Sequence, residues 1–149
     1  MKKLISLRKH LSDGVQELKD NPDKLVAFIE KGETHNTPRE NSLSFEYRYT
    51  ATLVITDFIG SADTLILPIL AWLRYNQADR ADSKSLDFIA ELLDNDSVDI
   101  EIKVELSEAV SVTSNPNGTV TASHNPEPIF VGTFGSDPNP LSEWELHNA

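Results

Sequence analysis

A chain of 149 residues with no cysteine and a net charge of −11 suits one domain with room for a real hydrophobic core. The missing cysteines exclude disulfides, thiolate nucleophiles and cysteine-based zinc sites. The charge is uneven: residues 1–50 carry nine Lys or Arg against eight Asp or Glu, residues 51–149 four against sixteen, and no Lys or Arg follows Lys103. That field disfavours general nucleic-acid binding, which rests on neutralising phosphates.

Solubility is the simplest meaning of such a charge. A basic partner, or a surface that must not hold DNA, is a sharper one. The N-terminus begins with two lysines, but Arg8, Lys9 and His10 interrupt any apolar stretch that could act as a secretion signal. The most apolar run, residues 65–73, is far short of the roughly 20 residues that a membrane span needs. The expectation is a soluble protein made in the cytoplasm.

Residues 3–19 predict a helix. Leu4, Leu7, Leu11, Val15 and Leu18 recur at spacings of three and four and form one apolar stripe. Gly14 weakens its middle by up to about 1 kcal/mol relative to alanine, and Pro22 ends it by disfavouring helix at Asn21. Residues 24–34 fit a strand or a short helix. Val26, Phe28 and Ile29 favour the strand, and a polar loop over 35–42 follows.

From Leu43 to Ile55 the odd positions read Leu, Phe, Tyr, Tyr, Ala, Leu, Ile, and the even ones are mostly polar. A period of two predicts one strand with an apolar and a wet face. Its length is more than twice the usual five or six residues, so part of it is expected to outrun the core.

Ser61 or Asp63 can cap a second helix. Ala62, Leu65, Ile66, Ile69, Leu70 and Leu73 share one face of it, Leu67 and Trp72 widen that face, and the helix should lie buried against a sheet. Pro68 should kink it or delay its regular part. Residues 76–85 read as a polar connector.

Residues 86–93 admit a helix, but Leu86, Phe88, Ala90 and Leu92 at period two favour a strand. Turn chemistry at 94–97 then joins it to a clear strand in which Val98, Ile100, Ile102, Val104 and Leu106 alternate with polar residues. Asn117-Gly118 supplies a second hairpin turn, between Val110–Thr113 and Thr119–Ser123. The fold class is therefore α+β: a mainly antiparallel sheet of four to five strands with two helices packed on one face, plus an extended C-terminal tail. The domain should cover 1–128. The segment after His124 holds four prolines and lacks periodicity, yet Ile129, Phe130, Val131, Phe134 and Trp144 in its 129–149 tail are too apolar for an inert linker. Such a segment docks on a neighbour or folds over its own core.

Catalytic signatures are scarce. The sequence holds no glycine-rich phosphate loop, no G-x-S-x-G and no H-E-x-x-H. His10, His35, His124 and His147 lack ligand spacing, and residues 94–99 lack the glycine and terminal glutamate of a calcium loop. No catalytic, metal or cofactor-binding residue is expected. Glu46 and Arg48 share the polar face of the long strand. They are either a solvated pair of little energetic worth or a charge match across a subunit boundary. The expected subunit-interface residues are Glu46, Arg48, Phe130, Phe134 and Trp144.

Read in order, "SFEYRYT" (residues 44–50), P-x-x-A-W-L-R (residues 68–74) and D-I-x-I-x-V-x-L-S-E (residues 99–108) sit within a match over residues 5–128. Together they make the chain resemble the tail completion protein R family of temperate phages with contractile tails. The resemblance implies a non-enzymatic virion component at the head-proximal end of the tail, which ends tail assembly and prepares head joining, made in the host bacterial cytoplasm. Implied partners are further copies of the chain in a ring, possibly a hexamer, by analogy with tail terminators. Tail tube or sheath proteins and head-side connector proteins are also implied, with DNA only as passing cargo, no membrane and no cofactor. Two rival readings stand beside it. One is an acidic binding or inhibitor module for a basic protein. The other is an enzyme, which would need a deep pocket with convergent polar groups.

Overall fold

The computed structural model describes residues 1–36, 43–77 and 86–125. Helix α1 (Lys2–Gly14) and a short α2 (Gln16–Asp20) lead through a 3₁₀ turn at Pro22–Lys24 into strand β1 (Leu25–Asn36). Then come β2 (Phe45–Phe58), α3 (Asp63–Asn76), β3 (Asp87–Leu92), β4 (Val98–Ser114) and β5 (Val120–His124). The sheet is antiparallel throughout, in the order β1-β2-β4-β3. Strand β5 pairs with the far end of β4. Because β2 occupies one side of β4, β3 and β5 both lie on its other side, at opposite ends.

The first helix is two pieces rather than one. Val15 is extended (φ −107°, ψ 111°), directly after Gly14, where the glycine gives least support to helix and the β-branched valine prefers strand geometry. The apolar stripe survives the break: Leu4, Leu7, Leu11, Val15 and Leu18 are all buried. Glu17, in the second piece, holds the corner where β2 turns toward α3. It accepts from the Lys24 ammonium at 2.9 Å, the Ile59 N–H at 2.9 Å and the Gly60 N–H at 3.1 Å.

One face of the sheet carries the core. Tyr49, Ala51, Leu53 and Ile55 of β2 meet Ile100, Ile102, Val104 and Leu106 of β4 beneath α1 and α3. On α3 the buried set is Leu65, Pro68, Ile69, Ala71, Trp72 and Leu73. Leu67 and Ala62, expected on the buried face, are exposed, so that face is turned toward Pro68 and Ala71. Pro68 sits inside an unbroken helical run, with its carbonyl engaging the His10 imidazole. Ser61 accepts a hydrogen bond from the Asp63 N–H at 3.3 Å, although the N-cap residue itself is Ala62.

Two boundaries moved. β1 continues through His35 and Asn36, which the sequence suggested were loop, because each finds a partner on β2 (Glu46 and Phe45). Gln77 is buried rather than part of a polar connector, since its side chain accepts from the Ser107 N–H at 3.1 Å and donates to Ser107 Oγ at 2.8 Å. The turn before β4 puts Asp96 at φ +63°, and the turn before β5 puts Gly118 at φ +83°. Asn117 keeps an ordinary backbone and instead accepts from the Thr119 N–H at 3.1 Å. Among the described residues no helix is long and apolar enough to cross a membrane.

Candidate functional site

The long strand is buried for only part of its length. Its odd residues from Tyr49 to Ile55 lie in the core, but Phe45 and Tyr47 are half-buried, and Leu43, expected in the strand, precedes its start and is 65% exposed. The helices cause this. α1 begins at Lys2, and beyond it the paired ends of β1 and β2 project without a helical cover. Gly32 pairs with Tyr49 there and brings no side chain to the sheet's helical face. The result is an open hollow of about 380 Å³ lined by Met1, Gly32, Glu33, Thr34, Tyr47, Arg48 and Tyr49.

Each face of this projecting end has its own character. On the helical face Phe45 and Tyr47 meet edge to face at 4.9 Å, and Tyr47 stacks on the His124 ring of β5 at 6.5 Å. On the other face Glu46 pairs with Arg48, two residues on. Opposite them on β1, His35 pairs with Glu33 at 2.9 Å. Glu46, and secondarily Glu33, raise the Arg48 guanidinium further above its already high range. Both residues of the Glu46–Arg48 pair are solvent-accessible, so its contribution to the stability of the fold is small.

Where the projecting end joins the core, one carboxylate ties four elements together. Glu108 of β4 is only 3% exposed. It accepts from the Tyr49 hydroxyl of β2 and from the Lys2 N–H at the start of α1, the latter at 3.0 Å. His124 Nδ1 of β5 lies 3.3 Å away, in ion-pair range but outside hydrogen-bond geometry. Burial and the neighbouring carboxylate push the Tyr49 phenol far up, so it stays a proton donor. Sequence reading missed Glu108. The signal was present: position 108 shares parity with the buried Leu106 and Val110.

A second hollow, of about 340 Å³, opens beside this cluster between Lys2, Lys3, Ser6, Tyr75, Asn76, Glu108, His124 and Asn125. Glu108 is committed to structural bonds there. No group of three or more His, Cys, Asp or Glu is placed to hold a metal ion among the described residues. Of the residues expected at a subunit boundary, Glu46 and Arg48 are brought together on the projecting end. Phe130, Phe134 and Trp144 lie outside the described residues.

The family model of P2 phage tail completion protein R (GpR) matches residues 1–128. The chain is also 41% identical over 128 residues to the tail completion protein R of Escherichia phage P2, covering 83% of this chain and 81% of that one. No solved structure matches. The match spans every element of the sheet and all of the helices, and by it the chain belongs to the family of P2 phage tail completion protein R.

Proposed function

We propose that this protein completes a phage tail at its head-proximal end. Copies of the chain assemble there, end growth of the tail and present a surface for head joining. Family membership supplies the class of function, a structural tail component. The observation that carries the assembly reading is the projecting end of β1 and β2. It exposes Leu43, half-exposes Phe45 and Tyr47, and opens a hollow that the subunit's own helices leave uncovered. A ring needs two different patches that meet repeatedly, and this end, with Glu46 and Arg48 on its reverse face, is the first of them.

The role requires no reaction. The buried Glu108 and Tyr49, with the Lys2 N–H, act as structure, and the protein works by binding other tail components. The inhibitor reading has no support in the family match. Deleting the gene in the source phage and imaging particles by negative-stain electron microscopy tests the proposal. Unattached heads beside tails that are over-long or unable to join are expected. Normal, joined, infectious particles would overturn it.

A further inference from the structure

The core lies on the helical face of the sheet, yet the reverse face is also apolar in part. Val26 of β1, Val54 of β2, Glu101 of β4 and Ile89 of β3 stand opposite one another in one row across that face. Val26 is 53% exposed, Ile89 70%, and Phe28, in the next row, 44%. The surroundings are acidic: residues 89–101 hold five Asp or Glu and no Lys or Arg. Glu101 lies 3.6 Å from the Lys103 ammonium, but Glu30 holds that ammonium more closely, at 2.9 Å. Beside Ile89, Glu91 and Asp99 stand directly opposite each other on the same face, a like-charge pairing that costs stability. No cation pairs with either of them among the described residues.

The outer side of α1 has the complementary make-up. Lys2, Ile5, Arg8 and Lys9 follow at spacings of three and four, so they share one face of the helix. All four are exposed, while Leu4, Leu7 and Leu11 face the core. Ile5 is 69% exposed, and no acidic residue precedes Asp13. Lys9 pairs with Asp13 one turn on, an exposed contact of little worth that a partner can replace. Met1 precedes this stripe and also lines the hollow at the projecting end. The stripe is therefore continuous with the proposed assembly surface.

We propose that the outer face of α1 docks on the reverse sheet face of a second copy, with Ile5 against the row of Val26, Val54 and Ile89 and with the cations of α1 against Glu91 and Asp99. Resting on the assembly reading, the contact supplies the second of the two patches that a ring needs. Within one chain the two surfaces lie on opposite sides of the sheet, so only separate copies bring them together, head to tail. The apolar residues supply adhesion, and the charges set register and partner choice.

The chain has no native cysteine, so introduced thiols report the contact without interference. Ile5→Cys/Ile89→Cys is supplied to phage lacking the native gene, and the lysate is treated with a short bismaleimide. A ladder of multiples of the chain is expected on a denaturing gel, and none from Ile5→Cys or Ile89→Cys alone. In the double-cysteine background, Arg8→Glu and Glu91→Arg should each reduce the ladder by at least about tenfold, because like charges then meet. Both reversals in one chain should restore it. No ladder from the double-cysteine variant, a ladder from either single one, or reversals that do not rescue each other would overturn the proposal. Deleting the gene separates this contact from the tail role. A ladder, with normal particles on deletion, keeps the contact and removes the role; failed head joining on deletion, without a ladder, does the reverse.

Discussion

Tyr49→Phe removes one atom from the centre of the molecule, and the structure says what that atom does. The Tyr49 hydroxyl donates to a Glu108 carboxylate that is buried and has no bulk water to fall back on. The ring still fills its place beside Ala51 and Leu106, so no large cavity forms. The loss is therefore that of one hydrogen bond to a buried charge, about 1.5 to 3 kcal/mol. Glu108 keeps the Lys2 N–H, which argues for the lower part of that range. In a chain of this size each kcal/mol moves the melting temperature by about 2 to 4 °C, so a fall of about 3 to 12 °C is expected. Urea unfolding followed by circular dichroism measures the free energy, with the slope m unchanged. Glu108→Ala should cost more, because it strands both the Tyr49 hydroxyl and the Lys2 N–H. A Tyr49→Phe protein within about 0.5 kcal/mol of wild type, the range of an ordinary surface change, would refute the reasoning. It would mean that water replaces the Tyr49 hydroxyl at Glu108 without cost.

Three further outcomes follow from other sites. Glu17→Gln should destabilise the fold by about 1.5 to 3 kcal/mol, read by urea unfolding, since the carboxylate serves Lys24 and two backbone N–H groups at once. Burial pushes the Glu17 carboxyl up, but the Lys24 ammonium and those N–H groups outweigh it and hold the group below its ordinary 4.5. Its contribution is thus present above that value and lost as pH falls through the folded pKa, and the Gln variant should lack that acid limb. Burial lowers the His10 imidazole below 6.5, against the opposing pull of the Pro68 carbonyl and Asp13. The unfolded chain then takes up the proton first, so stability should drop as pH falls below 6.5, and His10→Gln should flatten that slope. Gly32→Ala should add about 0.5 to 1 kcal/mol by unfolding measurements, because an added Cβ meets Tyr49 Cβ at an ordinary 3.4 Å. Gly32→Leu should keep the fold, fill the hollow and reduce head joining in a complementation assay.

Periodicity carried most of the fold. The two-residue alternation of β2 and β4 and the three-and-four spacing of Leu4, Leu7 and Leu11 each state which face is buried, and the structure buries those faces. Failures came where a single residue's context overrides a pattern. Val15 breaks a helix whose apolar stripe continues through it. Leu67 reads as core only if the face of α3 is centred one position away from where Pro68 and Ala71 put it. β3 alternates like a half-buried strand, yet both of its faces are exposed, because alternation records a preference and not whether a helix is present to satisfy it. Of the candidate site, Glu46 and Arg48 were legible as neighbours on one face. Glu108 was hidden by its chemistry: a glutamate at an inward position looks like the end of a strand's buried run until Tyr49 and Lys2 are seen to meet it.

Glu108 also lies where helical cover of the sheet ends. On the core side of it, Leu53, Ile55, Ile100 and Ile102 are sealed beneath the helices, and their burial is the ordinary driving force of a fold. On the other side, Phe45 and Tyr47 remain half-exposed on a strand that continues in full register with both neighbours. A hydrophobic end left open while its backbone pairing is complete gains little from further folding of the same chain. Its remaining free energy is released only when another surface covers it. If this end is the proposed assembly surface, anchoring its boundary with a buried carboxylate holds it in shape, so a partner binding there would meet a preformed surface and lose less entropy in ordering it. Tyr49→Phe should therefore weaken assembly by more than its loss of fold stability alone requires. Comparison with Leu53→Ala tests this, since that core truncation is of at least similar cost (about 2 to 5 kcal/mol) and leaves Glu108 with all its partners. Equal assembly defects at matched stability would show that the carboxylate serves the fold and nothing beyond it.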